Sequence, residues 1–252
     1  METVSMYDPF ELGSIVEEAV SKREKGEVWR KYYRFRGGLW YGGIATADAV
    51  GCNLKCTFCW GWKERDSYKS IGELLSPRVV AERLVDIAAR KGYDKVRISG
   101  GEPTLAFEHL LKILEHISSL MRLTFILETN GLLLGKHESY AEQLSNFPFL
   151  HVRVSIKGCT GEDFERITGA PEKYFYLQIK ALENLFLAGV SVHPAVMVSF
   201  SSEEDCIRLK EKLYSIDESI GDSFEEEIVI MYPHVKEILA MRKLYPRISL
   251  KP

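Results

Sequence analysis

Beyond about residue 40, apolar β-branched runs alternate with segments of helical period, and this alternation is the tightest constraint on the fold. The spacing predicts strands over 39–49, 95–99, 123–129, 150–156, 190–200 and 228–232. Helices are predicted between them over 78–91, 107–120, 139–146, 174–188 and 203–214. The runs VRISG, FILETNG and VRVSIKG each end in glycine or polar residues, as buried parallel strands do where their C-terminal ends open into loops. The expected fold is therefore α/β, a partial (β/α)6 TIM-like barrel, because the tail after residue 232 holds at most one short helix and one extended piece. Residues 1–39 stand outside the repeat and read as an N-terminal extension with a helix over 9–24, leaving 40–252 as the barrel domain.

A chain of 252 residues, 46% hydrophobic and 27% charged, can bury one large core. Its formal net charge of -3 gives no global pull toward nucleic acid or an anionic membrane. The N-terminus carries acidic residues where a secretory signal needs a basic flank, and no apolar stretch approaches the roughly 18 residues of a membrane helix. A cytoplasmic protein without a membrane partner is expected.

The chemistry is carried by GCNLKCTFCW at 51–60, where Cys52, Cys56 and Cys59 crowd into one short loop after the first strand of the repeat. Thiolates suit zinc or iron–sulfur clusters. Structural zinc sites close with four ligands, whereas three ligands leave a metal position open, as catalytic metal sites do. Five cysteines in all, three of them crowded together, fit ligation better than a disulfide framework.

CNLKCTFC resembles the C-x3-C-x2-C signature of the radical S-adenosylmethionine (SAM) superfamily, placed after the first strand as in that family. The resemblance implies a radical SAM type of barrel with a [4Fe-4S] cluster on Cys52, Cys56 and Cys59, its fourth iron chelated by SAM. It further implies reductive cleavage of SAM to a 5'-deoxyadenosyl radical, with an electron from an external flavodoxin- or ferredoxin-type donor. The cofactor would carry the hard chemistry. Phe58 fills the position of an aromatic that packs near the adenine. Gly100, Gly101, Glu102 and Pro103 match the GGEP motif, which holds the methionine amino group. FILETNG at 125–131 and RVSIKG at 153–158 match the third and fourth strands of such barrels. They would bring Glu128, Asn130, Ser155 and Lys157 to one mouth able to bind a zwitterionic amino acid moiety.

Within the superfamily, the stretch from Lys157 through Thr168-Gly169 to Asn184-Leu185 resembles glycyl-radical-enzyme activases. Activases carry aspartates where this chain has Ser155 and Glu128. ETNG with a serine before the lysine also resembles 7-carboxy-7-deazaguanine synthase, in which Asp-Thr follows the third cysteine; here Trp60-Gly61 follows. CTFCW resembles a tRNA-wybutosine synthase, which needs further N-terminal cysteines, and no cysteine precedes Cys52. The substrate, a small molecule or a protein, stays open at this point. So do a tRNA- or deazapurine-modifying enzyme and a non-catalytic iron–sulfur or zinc protein as alternatives.

Other features are given plainer readings. Residues 22–36, KREKGEVWRKYYRFR, interleave basic and aromatic residues able to contact nucleic acid, but a connecting segment with solvated charges is the favoured reading. Cys159 and Cys206 read as small apolar residues. Pro194 beside His193 implies a bulge or break in the fifth strand. Glu225, Glu226 and Glu227 read as solvated surface.

Overall fold

The computed structural model describes residues 6–120 and 122–252; residues 1–5, part of the expected extension, lie outside it. After helix Pro9–Val20, nine strands form one sheet: β1 Ser21–Glu24, β2 Glu27–Gly38, β3 Ile44–Ala49, β4 Glu73–Leu75, β5 Lys95–Gly100, β6 Thr124–Thr129, β7 Leu150–Ile156, β8 Ser191–Met197 and β9 Glu225–Glu227. Six of them, β3-β5-β6-β7-β8-β9, run parallel in that order, with helices in the connections. This is the partial (β/α)6 architecture.

Parity along each strand separates two faces. Ala47, Val96, Ile98, Phe125, Leu127, Val152, Val154 and Val196 join Leu84, Leu110, Leu114, Leu182 and Leu185 of the covering helices in one apolar core. The opposite, inner face carries Thr46, Arg97, Glu128, Arg153, His193 and Glu225. A parallel sheet covered on both faces is normally apolar on both. Here the inner face is polar.

The first forty residues depart from expectation. The helix ends at Val20, and the chain then turns back as a hairpin whose two-residue turn, Lys25-Gly26, has positive φ at both positions, 50° and 83°. β2 then pairs antiparallel with β3, so residues 22–36 are sheet and not a connecting segment. The sixth parallel strand falls on Glu225–Glu227, before the expected 228–232, because Arg153 and His193 meet its carboxylates. Glu225 and Glu227 are thus not solvated loop residues, whereas Glu226 points to solvent. β8 passes through Pro194 without a register shift; β9 pairs only from Ala195, so one flank at Pro194 has no partner strand to miss an N–H. Cys159 and Cys206 are joined in a disulfide, not held apart as small apolar residues. Among the described residues, no helix is long and apolar enough to cross a membrane.

Candidate cluster and cofactor site

The cysteine loop leaves the end of β3, and its backbone docks directly on the loop that leaves β5. The Gly101 N–H donates to the Ala49 carbonyl at 2.7 Å and the Glu102 N–H to the Gly51 carbonyl at 2.8 Å. Only glycine fits at 101, since a Cβ there would stand 2.0 Å from the Gly51 oxygen. Elsewhere the loop is pinned by side chains. Thr57 donates through N–H and hydroxyl to the Ile167 carbonyl at 2.9 and 3.1 Å, and Arg65 Nη1 to the Cys56 carbonyl at 2.7 Å. The Lys55 N–H donates to the Tyr7 hydroxyl at 2.8 Å.

Glu102 ties this loop to the next strand end. Its Oε1 accepts from the Thr104 N–H at 3.0 Å and from the Thr104 and Thr129 hydroxyls at 2.6 and 2.7 Å; its Oε2 accepts from the Asn130 N–H at 2.8 Å. Asn130 Nδ2 in turn donates to Asn53 Oδ1 at 2.7 Å and lies 3.9 Å from Cys52 Sγ. The end of β7 joins through Lys157, whose Nζ stands 5.7 Å from the centre of the Phe58 ring, itself 5.8 Å from Phe200. Gln178, fully buried on helix Phe175–Leu187, braces both strand ends: its Oε1 accepts from the Lys157 N–H, and its Nε2 donates to the Asn130 and Ser155 carbonyls.

The expected residues do not all meet at one point. Phe58, Glu102, Asn130, Ser155 and Lys157 gather on the rim with the cysteine loop. Glu128 sits lower on the inner face, accepting from Arg97 Nη1 at 2.6 Å, the Ser99 hydroxyl at 2.7 Å and the Tyr41 hydroxyl at 3.1 Å. Glu227 was missed by sequence reasoning. Burial pushes its carboxyl up, but Lys157, Arg153 and Ser155 more than offset this and hold it below the usual range. Its Oε2 accepts from the Ser155 hydroxyl at 2.9 Å and lies 3.9 Å from Lys157 Nζ. The one available signal was a glutamate run beside a strand, and the pattern of isolated charges hid it.

Cys52, Cys56 and Cys59 are all free thiols. Burial pushes Cys56 up to about 11, with Lys157 and Arg65 pulling it back, and burial also raises Cys52 and Cys59. Buried thiols of this kind shed their protons when a metal replaces them, so the donor set suits a cation. Among the described residues, no three His, Cys, Asp or Glu side chains converge to hold a single metal ion. A cubane asks for something else, since each thiolate takes its own iron corner. The residues fit a [4Fe-4S] cluster.

Four of the seven cations in the segment 22–36 are taken up by the fold, while Lys22, Arg23 and Lys25 stay exposed. Arg34 and Arg36 both hold the buried Asp48 carboxylate, at 2.6 and 2.8 Å, and Lys31 donates to the Tyr68 and Lys69 carbonyls at 3.1 and 3.0 Å. Arg30 is buried beneath the two loops.

Residues 48–213 match the family model of the radical SAM superfamily. A GTP 3',8-cyclase of Mannheimia succiniciproducens is 30% identical over 184 residues, 69% of this chain and 48% of that protein. A probable GTP 3',8-cyclase of Methanococcus vannielii is 34% identical over 145 residues, 54% of this chain and 46% of that protein. The chain thus spans about half the length of the curated relatives it matches. Among solved structures, anSMEcpe with bound AdoMet and a peptide is similar over 74% of this chain and 50% of its own, with a TM-score of 0.51 and 25% identity. The fold is also shared with Streptococcus suis SuiB bound to S-adenosylmethionine, at a TM-score of 0.55 and 17% identity over 81% of this chain and 48% of that one. The chain belongs to the radical SAM superfamily and is an enzyme whose cofactors are a [4Fe-4S] cluster and SAM.

Proposed function

We propose that Cys52, Cys56 and Cys59 hold the cluster and that SAM lies against the rim formed by Gly100, Gly101, Glu102, Pro103, Asn130, Ser155 and Lys157. Phe58 would offer its ring to the adenine, and Glu128 would complete the cofactor's surroundings from below. When bound, these groups supply reductive cleavage of the sulfonium C–S bond and a 5'-deoxyadenosyl radical for hydrogen abstraction. The observation carrying this reading is the chain of contacts from Cys52 through Asn130 to Glu102, which joins three separate loops at one rim. Among the described residues Glu102 Oε2 accepts only from the Asn130 N–H, which leaves it capacity for an ammonium donor.

The substrate would lie on the polar inner face, below the rim. A purine nucleotide is the preferred substrate class over a protein glycine. Two features support it: the relatives are named for GTP chemistry, and Ser155 and Glu128 stand where activases keep aspartates. The electron would come from a flavodoxin- or ferredoxin-type donor, in the cytoplasm.

Anaerobic reconstitution of the full chain should give about four irons. Reduction with SAM should then yield 5'-deoxyadenosine, and the yield should rise when GTP is added. Cys56→Ala should abolish the cluster and cleavage, while Cys206→Ala keeps both. Stoichiometric zinc with no cleavage would sink the cofactor assignment; cleavage indifferent to GTP would sink only the substrate.

A further inference from the structure

Arg30 lies on β2, outside the residues that match the family model, and is 1% exposed. A guanidinium at that depth is costly unless its donors are answered, and the usual answer is a carboxylate. Among the described residues Arg30 forms no salt bridge. It spends its Nη donors on backbone carbonyls instead, while Nε is left without a partner among the described residues. Nη1 donates to Pro103 at 2.9 Å and to Leu105; Nη2 donates to Glu102 at 2.6 Å and reaches Val50 at 3.4 Å. Three of these carbonyls belong to the loop after β5, and the fourth lies two residues before Cys52. Among the described residues no other element receives a hydrogen bond from this side chain.

We propose that Arg30 is a positioning residue: it locks the cysteine loop to the loop at 100–105 and so sets where SAM sits relative to the cluster. The proposal rests on the reading of those loops as cluster and cofactor holders. A planar fork reaches carbonyls from two loops at once, which a lysine ammonium, a point donor on a flexible stem, does not reproduce. Small errors in the placement of a reacting group carry large penalties, so a lock outside the matched region matters even though it touches neither cluster nor substrate.

The test uses the reconstituted full chain with Arg30→Lys, and Tyr32→Phe as control. Tyr32→Phe deletes the neighbouring hydroxyl, which lies 3.1 Å from His109 Nε2, and leaves both loops untouched. Iron content, SAM affinity by calorimetry and the electron paramagnetic resonance spectrum of the reduced cluster with and without SAM are compared. Arg30→Lys should keep its iron, bind SAM about tenfold more weakly or worse, and lose most of the spectral change that SAM induces. Tyr32→Phe should keep all three. Full affinity and spectral response in Arg30→Lys would overturn the proposal, as would equal losses in the control.

Amide hydrogen exchange on the wild-type apo-protein gives a measurement that needs no variant to fold. Residues 50–53 and 101–105 should be protected together with β2, and rapid independent exchange of 101–105 would count against the lock. Wild-type protein that binds iron but shows no response to SAM would fail the underlying reading, and the inference with it.

Discussion

His109 shows how burial, with the nearby Arg30 charge, gives one residue a pH-dependent role. It lies almost fully buried between the Val28 carbonyl, 2.7 Å from Nδ1, and the Tyr32 hydroxyl, 3.1 Å from Nε2. That pairing suits the neutral ring with its proton on Nδ1. Burial pushes its pKa down to about 3, only partly countered by the Val28 carbonyl. The folded value lies below the unfolded value of about 6.5, so the unfolded chain takes up the proton first as pH falls. Stability from this group is complete above about 6.5 and is lost downward through about 3, by on the order of 1.4 kcal/mol per pH unit. His151, held at about 4 by burial and by His193, adds a second loss of the same sign. Urea unfolding at pH 7 and pH 5 should therefore show a steeper pH dependence in the wild type than in His109→Gln; equal slopes would refute it. Cys52, Cys56, Cys59 and Glu102 could each be singled out from local spacing, and the structure sets them around neighbouring loops. Arg30, Gln178 and Glu227 could not be, because their roles exist only through partners 20 or more positions away.

At the scale of elements, the alternation of strands and helices was readable because each βα unit buries its own apolar stripe. The β1–β2 hairpin was not. KREKGE offers no apolar stripe, so its charges read as part of a solvated connecting segment, and the pairing of β2 with β3 is an antiparallel contact outside the βα repeat. The disulfide between Cys159 and Cys206 escaped because it spans 47 positions between the end of β7 and helix Glu203–Tyr214. The hairpin is more than an appendage. It covers the edge of β3 and brings Arg34 and Arg36 to Asp48, whose side chain is 0% exposed. A chain beginning at residue 39 would leave that carboxylate buried without a partner, at a cost of about 3–5 kcal/mol, and would expose an unpaired sheet edge. It should be insoluble, or lack a cooperative unfolding transition by circular dichroism. A soluble 39–252 fragment that unfolds cooperatively would mean that the hairpin is dispensable.

For the molecule as a whole, the telling contrast is between the two faces of the sheet. The outer face was foreseeable, since apolar runs must be covered by the helices between them. The inner face was less so, because Arg97, Glu128 and Arg153 lie among mostly neutral neighbours on that face of β5, β6 and β7, and their pairing joins separate strands. Together they form a belt across neighbouring strands: Arg97 with Glu128, then Arg153 with Glu225 and Glu227 at 2.7 and 2.8 Å. The bond from His193 and the Arg153 guanidinium draw Glu225 down to about 2 against its partial burial. Partly buried ion pairs contribute little net stability over a well-packed apolar face. The same physics predicts how the belt fails. Arg153→Met should destabilise the protein by about 1–3 kcal/mol, because the half-buried Glu227 loses its cation while the more exposed Glu225 is partly solvated. Adding Glu225→Gln and Glu227→Gln to that variant should recover much of the loss, so the combined effect falls well short of the sum of the separate ones. Strictly additive changes in denaturant unfolding would mean that Arg153 acts by packing alone and that the belt is no electrostatic unit.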